Sequence, residues 1–297
     1  MPITFSFFAE VLIGGLLAGV LYSLVALGFV LIFKASGVFN FAQGSMVLFA
    51  ALTLVGLMGL GAPFWLALLG TLAAMVALAF AIERLVLRPL VNQEAIILFM
   101  ATLGITFFLD GFGQSIWGSN VYRLDVDIPS DPLFFGDILV NQFDLIAAAV
   151  AGALVLFLAV FFQRTRIGRA LRAVADDHQA AQSVGIPLNH IWIIVWSVAG
   201  IVAIVAGIMW GAKLGVQFSI ALVALKALPV LILGGFTSIP GAIVGGLIIG
   251  GGEKLAEVFL GPWIGGGIEN WFAYMLAMVF LLFRPQGLFG ERIIERI

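Results

Sequence analysis

The chain has 297 residues, 63% of them hydrophobic and only 10% charged, with a formal net charge of −2 and a mean hydropathy of +1.19. A water-soluble domain carries about 25% charged residues, so too little polar surface exists here to face water and most of the chain is built for lipid. The lack of Cys excludes disulfides, thiolate zinc sites and cysteine nucleophiles, and neither the net charge nor any basic tract favours a nucleic-acid partner.

The opening MPITFSFFAE lacks the basic n-region of a cleaved signal peptide, so the first hydrophobic run reads as a retained transmembrane helix. A spanning helix needs about 20 mostly apolar residues. Nine stretches qualify: 9–33, 43–61, 63–87, 95–117, 143–163, 190–211, 216–235, 239–260 and 267–283. Pro229, Gly234, Gly235, Pro240 and Gly241 interrupt the pair within 216–260, where one member can be re-entrant, which gives eight or nine spans. The expected fold class is all-α, a polytopic integral membrane protein with Gly/Pro-interrupted segments. The 36 glycines suit helices that approach closely through small residues. Only short hydrophilic segments occur, so residues 1–297 read as one membrane domain.

Lys and Arg gather on the cytoplasmic side of a membrane protein. With the loop at about 164–189 placed in the cytoplasm and sides alternated outward, the cytoplasmic set holds Lys34, Arg84, Arg88, Arg164, Arg166, Arg169, Arg172, Arg284, Arg292 and Arg296, ten of the 14 basic residues. Arg123, Lys213 and Lys254 fall outside, and Lys226 falls within a span. The N-terminus is therefore expected outside and the C-terminus inside. The external loop at about 118–142 carries Asp125, Asp127, Asp131 and Asp137 against a single Arg123; such a loop is at home on the outer side, and its plain reading is a solvated loop.

Two polar breaks interrupt the apolar pattern, SGVFNFAQGS at 36–45 and GGFTSIPGA at 234–242, and LVAL precedes each, at 24–27 and 222–225. Transporters often arise by duplication, with substrate sites at broken helices. Asn40, Gln43, Gly44 and Ser45 in the first break, with Thr237, Ser238, Pro240 and Gly241 in the second, are the candidate translocation-pathway residues. Their side chains can bond a zwitterion or freed backbone groups. Helices beginning near Gln43 or Gly241 would offer N-terminal amides to a carboxylate. The alternative is that these residues only form tight turns on the cytoplasmic side.

The remaining chemistry is sparse. His178 and His190 both fall in or beside the cytoplasmic loop, no Gly-rich phosphate loop is present, and neither a metal site nor a hydrolytic triad has its base. Enzyme activity and bound cofactors are not expected. Ionisable residues within spans mark functional paths, and the candidates are Glu10, Glu83 beside Arg84, Asp110, Lys226 and Glu257. Lys226 stands apart, and its plain reading is a cation reaching an interface or a backbone carbonyl. No chain of such groups suggests a proton relay, so the energy for transport is expected elsewhere.

In the loop 163–190, Ile167, Ala170, Leu171 and Val174 recur at helical spacing, with Arg169, Arg172 and Asp176 on another face, until Gly185 and Pro187 stop the helix. Such an amphipathic helix either docks in a partner's groove or lies on lipid headgroups.

QAAQSVG at 179–185 resembles the EAA-x3-G signature of ABC importer permeases, with Gln179 in place of Glu and with Ala180, Ala181 and Gly185 in register. GLLAGVLYSLVALGFVLIFKASGVFNFAQGSMVLFAA, GRALRAVADDHQAAQSVGI, KALPVLILGGFTSIPGAIVGGLIIGGGEKL and LLFRPQGLFG resemble the H-type permease subunit of branched-chain amino acid ABC importers. The resemblance implies a multi-pass protein of the bacterial inner membrane. It also implies a homologous M-type permease subunit, two cytoplasmic ATPase subunits and a periplasmic substrate-binding protein as partners. Gly168, Arg169, Arg172, Ala180, Ala181 and Gly185 become the expected ATPase-coupling residues. A secondary carrier working without an ATPase is the alternative function.

Overall fold

Hydrocarbon offers no water to backbone N–H and C=O groups, so a lipid-facing chain closes its hydrogen bonds within helices. The computed structural model, described for residues 5–90 and 93–290, is accordingly mostly helical. In chain order, α1 spans Phe5–Ser36, α2 Gln43–Gly59, α3 Phe64–Ile82 and α4 Ala95–Trp117. A hairpin of β1 (Pro132–Phe135) and β2 (Ile138–Asn141) follows, then α5 (Gln142–Arg164), α6 (Arg166–Asp176), α7 (His178–Ser183) and α8 (Leu188–Leu214). α9 (Val223–Gly234), α10 (Ile239–Ile264) and α11 (Phe272–Phe283) complete the order. Arg292 and Arg296, counted above for orientation, lie outside the described residues.

Each of the nine apolar stretches falls on helix. Among the described residues, five segments are long and apolar enough to cross a bilayer: Phe5–Ser36, Phe64–Leu90, Ile96–Trp117, Gln142–Arg164 and Leu188–Leu214. Phe218–Gly234 and α10 meet at a 115° bend and together count as a sixth span or as a re-entrant loop. The higher count from hydropathy treats both arms of that bend, and the shorter α2 and α11, as crossings of their own.

The acidic loop at about 118–142 holds an element that hydropathy does not register. β1 and β2 pair antiparallel, Phe135 opposite Ile138, with Gly136 at a positive φ of 64° in the two-residue turn. After α3 the helix loosens into a π turn, Glu83–Leu87. That turn sets Glu83 beside Arg88 (Oε1 to Nε 3.4 Å) rather than beside its neighbour Arg84, whose guanidinium sits 5.8 Å from the centre of the Phe80 ring.

The chain divides into two compact units. One takes the residues up to Ala26, Asp127–Leu156 and the chain from Leu225 on; the other takes Leu27–Val126 and Phe157–Ala224. In the first, Gly15, Gly19 and Ser23 recur every four residues on α1 and face Gly246 and Gly250 of α10. A Cβ at Gly15 would lie 2.7 Å from the Gly250 carbonyl oxygen, so only glycines allow this approach. In the second unit α2 is central, buried from Gln43 to Leu54 and packed on α3, α4 and α8. Gly207 of α8 lets that helix close on Val47 of α2, where a Cβ would stand 2.7 Å from the Val47 oxygen.

Candidate functional site

The first break lies in the second unit and is stitched tightly. α1 ends as Gly37 turns to φ +67° and donates its N–H to the Phe33 carbonyl at 2.8 Å. Asn40 then makes an Asx turn: the Ala42 N–H donates to Asn40 Oδ1 at 3.1 Å, and Asn40 Nδ2 donates to Gln43 Oε1 at 3.4 Å. Gln43 Nε2 reaches the Ala199 carbonyl of α8 at 3.5 Å and lies against Gly28, which has no side chain to exclude it. Thr102 of α4 joins both sides of the break, donating to the Phe39 carbonyl at 3.1 Å and accepting the Phe41 N–H at 3.3 Å. Phe29, Phe39, Phe41 and Phe99 follow one another around it with centroids about 5 Å apart, Phe29 stacked on Phe39 and the next two contacts edge to face. Asn40 and Gln43 are fully buried and occupied with one another and with backbone. The Ser45 hydroxyl, equally buried, has no hydrogen-bond partner among the described residues. Gly44 sits against Ala221 and Ala224, in contact with backbone.

The second break lies in the first unit. Ser238 caps α10, its Oγ accepting the Gly241 N–H at 3.0 Å, and Pro240 occupies the first turn, where its missing N–H costs nothing. Gly234 and Gly241 meet backbone to backbone. Thr237 is half-buried and Pro240 exposed. Sequence reasoning missed what closes this break. The N–H groups of Leu288 and Phe289, from LLFRPQGLFG, donate to the carbonyls of Leu233 (2.8 Å) and Gly234 (3.1 Å) at the end of α9. The motif was visible; its destination was not.

The loop at about 164–189 forms two helices rather than one. Thr165 caps α6, accepting the Gly168 N–H at 3.1 Å, and Gly168 is buried against the Phe162 carbonyl. Leu171 and Val174 are buried beside Gly168, while Arg169 and Asp176 are exposed. Arg172 does not share that outer face. Its Nη1 donates to the Phe162 carbonyl at 2.6 Å and its Nη2 to Gln163 at 3.4 Å, so it caps the end of α5, where the helix dipole favours a cation. Asp177 caps α7, accepting the N–H groups of Gln179 (2.8 Å) and Ala180 (2.9 Å). Gly185, at φ +85°, ends α7 as its own N–H and that of Ile186 bond back to Gln182 and Ala181, both at 3.0 Å. Ala181 is buried, whereas Gln179, Ala180, Gln182, Val184 and Gly185 are exposed. α7 and its C-terminal turn thus expose Ala180 and Gly185 among Gln179, Gln182 and Val184, held by Asp177 at one end and Gly185 at the other.

In the first unit, Lys226 finds more than a carbonyl. Its Nζ donates to Glu253 Oε1 at 2.6 Å and to the Glu269 carbonyl at 2.7 Å. Tyr22 of α1 donates to the same Glu253 oxygen at 3.4 Å. Glu253 was not among the residues singled out above. It hides in GGGEKL as one charge beside Lys254, and its partner lies 27 positions earlier. Glu257 instead accepts the N–H groups of Gly267 (3.0 Å) and Glu269 (2.9 Å), which fixes the turn after α10.

The family described as branched-chain amino acid transport system / permease component matches residues 11–284, which include both breaks, the loop at about 164–189 and the Lys226 cluster. The high-affinity branched-chain amino acid transport system permease protein BraD of Pseudomonas aeruginosa is 29% identical over 98% of this chain and 98% of its own. The corresponding permease protein LivH of Escherichia coli K12 is 29% identical over 99% of both. The probable branched-chain amino acid transport permease protein LivH of Methanocaldococcus jannaschii is 29% identical over 94% of this chain and 92% of its own. Among solved structures, PsaBC from Streptococcus pneumoniae in complex with Fab aligns over 93% of this chain and 89% of that one, at 15% identity and a TM-score of 0.47, too distant to bear on the fold. The matched region runs nearly the whole chain, ending just before the Leu288–Phe289 closure of the second break, and the chain belongs to the branched-chain amino acid transport system permease family, a permease component and not an enzyme.

Proposed function

We propose that this chain is the membrane-spanning subunit of an ATP-driven importer that moves branched-chain amino acids, or related amino acids and amides, into the cell. A periplasmic binding protein delivers the substrate, a homologous M-type permease completes the path, and two cytoplasmic ATPase subunits drive it. The observation that carries this reading is the family match over residues 11–284.

The loop at about 164–189 supplies the coupling element, and its geometry supports the role. Ala180 and Gly185 keep an exposed surface low, so a partner's backbone can come close, while Ala181, Gly168 and Arg172 hold the element to the membrane part from within. Arg169 remains available on the outer face. The chain takes eight or nine spans as one membrane domain of the inner membrane, N-terminus outside and C-terminus in the cytoplasm, as its basic residues favour. Asn40, Gln43, Gly44, Ser45, Thr237, Ser238, Pro240 and Gly241 shape the path at the two breaks. Asn40 and Gln43 do so by fixing the turn, and Ser45 has a hydroxyl to spare.

The test is purification through a tag on this chain after expression with its genomic neighbours, followed by uptake of labelled leucine into proteoliposomes. Copurified ATPase subunits and uptake dependent on ATP and on the binding protein are expected. A chain that leaves the membrane alone and transports without nucleotide is a secondary carrier, and the proposal fails.

A further inference from the structure

An ion pair inside a membrane span is costly to desolvate and commonly marks a functional site. Lys226 and Glu253 form such a pair, and its hydrogen-bond inventory does not close. Glu253 is 4% exposed, and while its Oε1 takes Lys226 and Tyr22, its Oε2 is buried with no partner among the described residues. An ammonium has three donors. Lys226 spends two, on Glu253 and on the Glu269 carbonyl. Among the described residues one acceptor and one donor are left over in the same ion pair. The Lys226 side chain keeps 21% of its surface exposed, so the cluster is not sealed.

We propose that Lys226 and Glu253 form a binding station for the zwitterionic head of an α-amino acid, the substrate α-ammonium donating to Glu253 Oε2 and its α-carboxylate accepting from the third N–H of Lys226. This rests on the reading of the chain as an amino acid permease and names the residues that would recognise what all its substrates share. A free carboxylate or ammonium here would face low dielectric alone. Paired, the two side chains neutralise each other while the station is empty, and a zwitterion adds as much positive as negative charge when it enters. The site is therefore neutral at every stage, and it is indifferent to the apolar side chain. Tyr22 and the Glu269 carbonyl keep the pair oriented without using the spare positions.

The test replaces both charges together, because either single variant leaves a buried unpaired charge and can simply fail to fold. Lys226→Met/Glu253→Leu keeps apolar volume, and such replacements of buried pairs are commonly tolerated. The variant is reconstituted in the complete transporter. Three quantities are read: copurification of the ATPase subunits, basal ATP hydrolysis, and uptake of leucine at saturating binding protein. Assembly and basal hydrolysis unchanged, with uptake reduced at least tenfold, is the expected result. The pair's order is checked with Lys226→Glu/Glu253→Lys, which restores a Lys–Glu pair and should recover part of the uptake. Wild-type uptake with normal kinetics in the Met/Leu variant overturns the proposal, as does a Met/Leu variant that loses assembly and uptake together while the swapped pair restores both to the wild-type level, since the pair is then structural only. If wild-type complexes do not transport leucine at all, it is the permease reading that falls, and the two failures are distinguishable.

Discussion

Asp177→Ala tests whether the short helix α7 is held by its cap. Two of the four N–H groups that an α-helix leaves open at its start go to Asp177 Oδ1, from Gln179 at 2.8 Å and Ala180 at 2.9 Å. Helices shorter than about 12 residues are marginal in water by themselves, and α7 has six residues. Losing an Asp cap to Ala costs about 0.5–2 kcal/mol, and about 1 kcal/mol corresponds to roughly a fivefold change in population. The assay is hydrogen exchange in the purified complex, followed at the amides of Gln179 and Ala180. Their exchange is expected to rise about fivefold, with ATP-driven uptake falling in proportion and not to zero. Asp177→Asn, an equally good cap, should retain most of both. Unchanged exchange in Asp177→Ala would refute the reasoning, and so would an Asn variant as impaired as the Ala variant, because charge and not capping would then be at work.

Further outcomes follow from packing and polar satisfaction. Gly185→Trp places a bulky side chain at φ +85° on the exposed end of α7 and should uncouple ATP hydrolysis from uptake in a folded protein; coupled uptake at the wild-type rate would remove Gly185 from the docking surface. Ser45→Ala deletes a buried hydroxyl that bonds nothing, so the melting midpoint should hold or rise, whereas Asn40→Leu strands the Ala42 N–H and Gln43 Oε1 at about 1–3 kcal/mol apiece. Equal midpoints for those two variants in detergent would contradict the stitched turn. Gly19→Val drives a branched side chain into the Gly246 backbone and should lower the midpoint by several degrees, while Gly104→Ala, with nothing within 4 Å, should leave it unmoved.

Hydropathy alone located every helix of the membrane part, because a run of about 20 apolar residues has a single plausible use in a chain so short of charge. Gly and Pro marked both breaks for the same kind of reason: their backbone limits hold in any surroundings. What remained illegible depended on partners distant in sequence. Arg172 looked like a neighbour of Arg169 on an outer face, and only the approach of the α5 terminus turns it inward. Glu83 took Arg88 instead of Arg84 because a π turn changes which residues align. The hairpin at 132–141 is a few residues per strand, too short for alternation to stand out. Glu253 drew no notice beside Lys254, because its partner Lys226 lies 27 positions earlier in the chain.

The hydrogen bonds from Leu288 and Phe289 to the end of α9 also set an order of events during synthesis. α9 leaves the ribosome first with those carbonyls unanswered, and α10 and α11 must follow before their donors exist. The bend therefore cannot close as a local unit. A translational pause or a chaperone acting between α10 and the residues after α11 would hold the chain with its second break still open.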